Sequence, residues 1–172
     1  MSLESVKAHF AKWGRAEDVM EFNTSSATVE EAAETIGVIP AQIAKTLSFK
    51  GKEEKNLLVV AAGDAKVDNK KFRQTFGMKA RMLKPDEVLD QTGHVVGGVC
   101  PFGLAKDMDV YLDISMKRFD YLYPACGSTN SAIKLTCEEL DEYSSANDWI
   151  DVCKGWDKEE AEKETVSSVK SD

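Results

Sequence analysis

Lys45 is the residue whose placement most needs an explanation. In an extended strand alternate side chains share a face, so over Ile43 to Phe49 the set Ile43, Lys45, Leu47 and Phe49 points one way. Three of those four are apolar, which puts an ammonium group on what should be a core face. An unpaired buried charge is costly, so such a lysine needs a cavity, an anion or a lowered pKa. The alternative is a lysine near the strand end whose head snorkels out to water.

A second candidate is the run Gly97-Gly98-Val99-Cys100-Pro101-Phe102-Gly103. Its glycines and proline make a shaped turn in which backbone N–H groups approach a ligand closely, a carbonyl or ester oxygen or a developing oxyanion among them. The spacing is not that of a Walker A loop, so no nucleoside triphosphate site is expected. A third candidate is Pro124-Ala-Cys126-Gly127-Ser128-Thr129-Asn130-Ser131, small and hydroxylated residues that hydrogen-bond a ligand or one another. Cys100 follows His94 by six residues, and a cysteine nucleophile with a histidine base is one reading of that pair. The spacing does not bring the two side chains together, and a buried thiol is the commoner fate of a free cysteine.

The four cysteines, Cys100, Cys126, Cys137 and Cys153, show no C-x-x-C spacing, and His9 and His94 are far apart. A Cys/His metal site has little support, no cofactor is expected, and reduced thiols filling core space are the default.

These residues need a scaffold, and the sequence outlines one. Leu3, Val6, Phe10 and Trp13 recur at spacings of three and four, predicting a helix from Ser2 to Trp13 that Gly14 ends, with His9 at the surface. Thr28-Val-Glu-Glu31 fits a capping box, predicting a helix that stops near Gly37, and Pro40 opens a short turn. Strand Ile43 to Phe49 comes next, then Leu57 to Ala62, whose unbroken apolar run predicts burial on both faces. Asp68 caps a helix running to about Phe76, and Pro85-Asp-Glu87 begins another. Strand signals follow at Val110–Ile114, Tyr121–Tyr123 and Ala132–Thr136, with a last helix at Glu138–Ser145. The polar stretch from Asp157 to Asp172 is expected to be disordered. The expected architecture is therefore one α/β domain over residues 1–156, a mixed central β-sheet surrounded by helices.

Bulk composition narrows the function classes. The 172 residues are 42% apolar and 30% charged, a globular balance, and no apolar run approaches the roughly 20 residues of a membrane span. The opening residues carry no basic cluster followed by an apolar stretch, so a cytoplasmic location is the expectation and no membrane partner is expected. The net charge of −8 argues against general affinity for polyanions. Its distribution softens the argument: Lys66, Lys70, Lys71, Arg73, Lys79, Arg81 and Lys84 face one acid, Asp68, whereas Glu138 to Asp151 holds six acids and no base.

In order and spacing the motifs Ile43-Ala-Lys45-Thr-Leu47, Gly63-Asp-Ala-Lys-Val-Asp68, Gly97-Gly-Val-Cys-Pro101-Phe-Gly103 and Ala125-Cys-Gly127-Ser-Thr-Asn-Ser-Ala132 before Leu135-Thr136 resemble the YbaK family of aminoacyl-tRNA deacylases. That family is similar to the editing domain of bacterial prolyl-tRNA synthetases, and the likeness runs over about residues 25 to 150. The resemblance implies a pocket between strands and trans-editing, the removal of a wrong amino acid from tRNA, often tRNA for proline, without a metal. It places the family's lysine on Lys45, which would position the aminoacyl ester or the terminal nucleotide phosphate. It places the family's loop on Gly97, Gly98, Val99, Cys100 and Pro101, which would hold the acyl carbonyl or α-amino group. Gly127, Ser128 and Thr129 would line the acyl pocket; some members carry a histidine or another basic residue there, so the amino acid removed is left open.

The expected partners are aminoacyl-tRNA and, to supply affinity that a net acidic chain lacks, a synthetase; DNA is not expected. Two rival readings are a non-catalytic module that binds an aminoacyl group or a synthetase, and a cysteine hydrolase using Cys100.

Overall fold

Leu57–Ala62 (β3) is buried at every position, because it has a strand on each edge and packed side chains on each face. The computed structural model describes residues 2–53 and 55–156, and over them β3 is the middle of a five-stranded sheet. Ile43–Phe49 (β2) runs antiparallel to it, from Ala44 opposite Ala62 to Phe49 opposite Leu57. Asp109–Asp113 (β5) lies parallel on the other edge. Beyond β5 comes Asp148–Ile150 (β8), also parallel, and beyond β2 comes the short parallel strand Tyr123–Pro124 (β6). The sheet is thus mixed, as expected. Two features lie outside the sequence reading: β8, and a pair of two-residue ladders. Met20–Glu21 (β1) pairs with Ser131–Ala132 (β7), and Lys66–Val67 (β4) pairs with Cys153–Lys154 (β9).

The helices stand where their caps put them. Val29–Ile36 (α2) opens on the expected capping box: Glu31 N–H donates to Thr28 Oγ1 (3.1 Å) and Thr28 N–H to Glu31 Oε1 (3.3 Å). Such a cap is worth roughly 1 kcal/mol. Asn69–Phe76 (α3) is capped by Asp68, and Pro85–Thr92 (α4) begins on its proline, with Lys84 N–H donating to Glu87 Oε1 (3.0 Å). Cys137–Ser144 (α5) has a second full capping box, Thr136 with Glu139. The first helix, Ser2–Ala11 (α1), is shorter than its apolar stripe. Past Ala11 the backbone tightens to three-residue turns, and Trp13 reaches the core by its ring, 4.6 Å from Tyr143.

His9 is not at the surface. It is half-buried between α1 and α5, its Nε2–H donating to the Tyr143 carbonyl (2.5 Å) while Gly103 N–H donates to Nδ1 (3.3 Å). These two contacts fix a neutral imidazole, and burial pushes its pKa below the ordinary histidine value.

Two apolar clusters result. The main one joins the sheet to α1, α3 and α5 through Phe10, Phe72, Phe102, Leu58 and Leu112. A small one, Ala32, Ala33 and Ile43 with Val29 and Tyr123 against them, holds α2 to the β2–β6 side. The seam between them is open. Residues 157–172, where disorder was expected, lie outside the described residues. No described helix is long and apolar enough to cross a membrane.

Candidate active site

The seam exists because β2 is covered on its outer edge only in part. At one end β6 pairs with Ile43 and Ala44. At the other, Met82 forms a bridge with Phe49, Leu83 N–H donates to the Ser48 carbonyl (3.1 Å), and Lys50 N–H donates to the Arg81 carbonyl (2.8 Å). Neither ladder reaches Thr46. A cleft of about 340 Å³ opens at this gap, walled by the start of α2, by Met82 to Val88, by Val96, Gly97 and Val99, and by Tyr123, Ala125, Ser131 and Ala132. Such an apolar concavity with a few polar groups is the usual form of a small-ligand site.

Lys45 lines this cleft, and the Gly63–Ala65 turn holds its head. Nζ donates to the Gly63 carbonyl (3.4 Å) and to the Ala65 carbonyl, which leaves one N–H of the ammonium without a partner among the described residues. Burial draws its pKa below the ordinary lysine value, and the nearby Asp64 acts the other way. The expectation of a charged group on an apolar strand face is met by backbone carbonyls rather than by a carboxylate. Asp64 is itself held by Arg118, Nη1 to Oδ2 at 3.0 Å and Nη2 to Oδ1 at 2.6 Å.

Of the glycine loop, Gly97 and Val99 line the cleft, and their N–H groups have no partner among the described residues. Gly98 turns the other way. Its carbonyl accepts from Gly127 N–H (2.9 Å), and a Cβ on it would lie 2.7 Å from both Gly127 C and Ser128 N. Gly127, at φ +92°, is pressed in turn against Ser2, where a Cβ would come within 2.7 Å of the Ser2 carbonyl. These two glycines lock the loops to each other and to α1. Pro101 is buried away from the cleft.

Cys100 and His94 do meet, Sγ to Nε2 at 3.6 Å, but in the core behind the loop. Both are completely buried. The His94 Nε2–H donates to the Phe102 carbonyl (2.7 Å), and Nδ1 faces Ser2 Oγ (2.9 Å), which also contacts the Gly127 carbonyl. Burial lowers the His94 pKa and pushes the Cys100 thiol up to about 12. A thiol so protected supplies no thiolate near neutral pH.

In the last loop, Ser128 Oγ donates to Asn130 Oδ1 (2.9 Å) and lies 2.6 Å from Ser131 Oγ, and the Thr129 carbonyl accepts from Ser26 N–H (2.7 Å). The predicted site residues thus divide. Lys45, Gly97 and Val99 are brought together in the cleft, while Gly98, Cys100, Pro101, Gly127, Ser128 and Thr129 build the shell behind and beside it.

Sequence reasoning missed Ser26, Thr28, Thr46, Met82 and Val96, whereas Ser131, the end of the third candidate segment, does line the cleft. Thr46 Oγ1 is buried with no hydrogen-bond partner, a condition that marks few native polar groups. Its signal was its adjacency to Lys45; Thr28 was legible only as a cap residue. Among the described residues no group of three or more His, Cys, Asp or Glu is placed to hold a metal ion.

Comparison with known proteins gives this geometry a context. The family described as the aminoacyl-tRNA editing domain matches residues 24–143. The chain is 66% identical over 157 residues to the uncharacterized protein YwhH of Bacillus subtilis, covering 91% of this chain and 100% of that one. It is 27% identical over 114 residues to EbsC of Enterococcus faecalis, designated a candidate Cys-tRNA(Pro)/Cys-tRNA(Cys) deacylase, covering 66% of this chain and 70% of that one. Among solved structures, one described as a candidate trans-editing enzyme for prolyl tRNA synthetase superposes with a TM-score of 0.81 at 28% identity, covering 90% of this chain and 98% of that one.

Proposed function

The chain belongs to the aminoacyl-tRNA editing domain family, and on that premise we propose that it hydrolyses the ester of mischarged aminoacyl-tRNA in the cleft beside Lys45. One observation carries this reading: Lys45, Gly97 and Val99 line the same cleft, and the Gly97 and Val99 N–H groups have no hydrogen-bond partner among the described residues. A carbonyl oxygen seated between such donors is polarised, and the negative charge that grows on it during attack is stabilised without reorganisation. Lys45 holds the ester or the adjoining phosphate through its remaining N–H.

Among the described residues no carboxylate or imidazole lines the cleft, and the Cys100 thiol lies behind it; in this reading water is the nucleophile. The water oxygen bonds to the acyl carbon, the bond from that carbon to the terminal ribose oxygen breaks, and the proton ends on the ribose hydroxyl. An ester is already activated, so orientation and a few fixed donors account for much of the acceleration. Among the described residues Lys45 is the only charged one of the lining, so a cationic acyl side chain would be buried there without a counter-charge and is disfavoured.

The bases Lys70, Arg73, Lys79, Arg81 and Lys84 are exposed and carry the tRNA contact. Lys71 is instead tied to Asp151 (3.0 Å) and to the Cys153 carbonyl (2.9 Å). With a net charge of −8 the chain binds free tRNA weakly, and a synthetase that holds the same tRNA supplies the missing affinity.

The test is deacylation of tRNAs charged with alanine, serine, threonine, cysteine and proline, by the wild type and by Lys45→Ala. Lysine-dependent hydrolysis of at least one mischarged member is expected. A folded protein that hydrolyses none of them is a binding module instead.

A further inference from the structure

Asp113, the last residue of β5, is a carboxylate with no exposure to solvent, and among the described residues no cation lies within ion-pair distance of it. A charge buried in this way is costly unless its lone pairs are filled. Here backbone fills them: Ser115 N–H donates to Oδ2 (2.9 Å) and Val152 N–H donates to Oδ1 (2.9 Å). The buried Cys153 thiol lies beside the same carboxylate, and burial together with that negative charge pushes its pKa up to about 12.

Both donors lead to the turn that holds Lys45. Ser115, itself wholly buried, accepts Ala62 N–H at its Oγ (3.1 Å), and Ala62 is the residue before Gly63. Val152 accepts Asp68 N–H at its carbonyl (2.8 Å), and the two residues after it, Cys153 and Lys154, pair with Val67 and Lys66. The 63–65 turn is thereby fixed where the chain enters it and where the chain leaves it. Between those two points the Gly63 and Ala65 carbonyls receive the Lys45 ammonium.

We infer that Asp113 is a positioning residue for Lys45: its two carboxylate oxygens hold the two ends of the turn whose carbonyls receive the ammonium. The kinetic consequence rests on the deacylase reading; the placement of the lysine does not. Stability alone gives little reason for a charge here, because a buried ion contributes less net stability than an apolar residue of similar volume. Two backbone donors on separate segments do give a reason. A carboxylate offers an acceptor oxygen to each, whereas an amide offers one oxygen and turns an NH2 group toward the other donor. Nor does the Asp64–Arg118 pair replace this support. Arg118 Nε donates to the Ser115 carbonyl (2.8 Å), within the short helical turn Ile114–Arg118 that the Asp113 side chain caps.

The test uses Asp113→Asn and Ser115→Ala in the full chain, each in the wild-type and the Lys45→Ala backgrounds. Leu112→Ala, a cavity in the same strand, serves as the control for lost stability. In the wild-type background Asp113→Asn is expected to lower single-turnover kcat by about tenfold or more, as misplacement of a reacting group does, with KM little changed. In the Lys45→Ala background it is expected to change the residual rate by less than about twofold, because the residue through which it acts is gone. The Lys45 pKa, followed at its labelled Cε, is expected to rise toward the ordinary lysine value as the loosened turn lets water reach the ammonium. Asp64, Lys66, Glu30 and Cys153, which act on that titration by their charge, are retained in all these variants. Leu112→Ala is expected to lower the melting temperature and leave the Lys45 titration where it was.

Equal fold losses in the two backgrounds, with an unmoved Lys45 titration, overturn the inference, because Asp113 then serves folding alone. A moved titration in a protein that turns over no charged tRNA upholds the positioning role and refutes the deacylase. Where Asp113→Asn does not fold, Ser115→Ala decides, since it cuts only the link to Ala62: an unchanged titration and kcat in that variant overturn the inference.

Discussion

The Asp64 carboxylate grips Arg118 by both Nη atoms, at 3.0 and 2.6 Å, from within the turn whose Gly63 and Ala65 carbonyls receive the Lys45 ammonium. Arg118 is anchored further by donating to the Ser115 carbonyl (2.8 Å) and the Trp156 carbonyl (3.1 Å). A two-pronged pair of this kind fixes direction as well as distance. The lysine's position therefore depends on a pair that never touches the cleft.

Asp64→Asn tests that dependence. Asp64 supports the charged form of Lys45 against burial, so its neutralisation lowers the lysine pKa further. If the ammonium form is the active one, the alkaline fall in deacylation moves to lower pH in the variant. Arg118→Lys keeps the charge but loses the fork, and activity falls by about tenfold through misplacement alone. The pH profile of kcat distinguishes the two effects.

Gly98→Ala is expected to disturb both loops at once. The added carbon would meet the Gly127–Ser128 peptide at 2.7 Å, and backbone cannot yield as a flexible side chain can. A loss of about 1–3 kcal/mol follows from such overpacking, measurable by urea denaturation. Because Gly97 and Val99 flank the displaced residue, deacylation falls more than the loss of folded protein explains.

Cys100→Ser is expected to keep kcat within about twofold, whereas a cysteine hydrolase would lose nearly all of its rate. The substitution costs stability, roughly 1–3 kcal/mol, because it places a smaller and more polar hydroxyl in a fully buried site shaped for a thiol. Alkylating reagents applied to the native protein leave activity intact, since the thiol is enclosed and its pKa stands at about 12. Inactivation that tracks modification of Cys100 would restore the nucleophile reading.

Stability is expected to fall on acidification through the histidine range. His94 is wholly buried and its folded pKa lies below the unfolded value near 6.5. As pH drops past 6.5 the unfolded chain takes up a proton before the folded one, so the unfolded state gains, by at most about 1.4 kcal/mol per pH unit for this residue. The contribution is fully present above pH 6.5 and stops declining below the folded pKa. His9, also lowered by burial, acts in the same sense. Urea midpoints measured from pH 7.5 to 5 should slope downward, and His94→Gln should flatten part of that slope. An unchanged slope would mean that His94 takes up its proton as readily in the folded state as in the unfolded one.

How much of this was legible beforehand follows from how local each signal is. β2 and β3 announce themselves by apolar runs, and α2 and α3 by the caps at Thr28 and Asp68, because period and capping are written in adjacent residues. The strand β8 was not legible: Asp148-Trp-Ile150 is too short for a period and becomes a strand only because β5 offers an open edge. The ladders at Met20 and Lys66 are likewise set by partners more than 80 residues away. Within the site, Lys45 stood out as a charge among apolar neighbours. Gly97 and Gly98 looked alike in sequence but face opposite ways, a difference that the backbone alone decides. The lips at Met82 and Val96 carried no signal, since an apolar residue reads as core until its exposure is known.

The central claim is that Lys45 and the cleft it lines hydrolyse aminoacyl-tRNA, and single-turnover deacylation of a mischarged tRNA by wild type and Lys45→Ala tests it most directly. The predicted result is release of the free amino acid by the wild type and a rate lower by about 100-fold or more in Lys45→Ala, with both proteins equally folded by thermal melting. Equal rates in the two proteins would contradict the account, because the ammonium would then contribute nothing to the reaction.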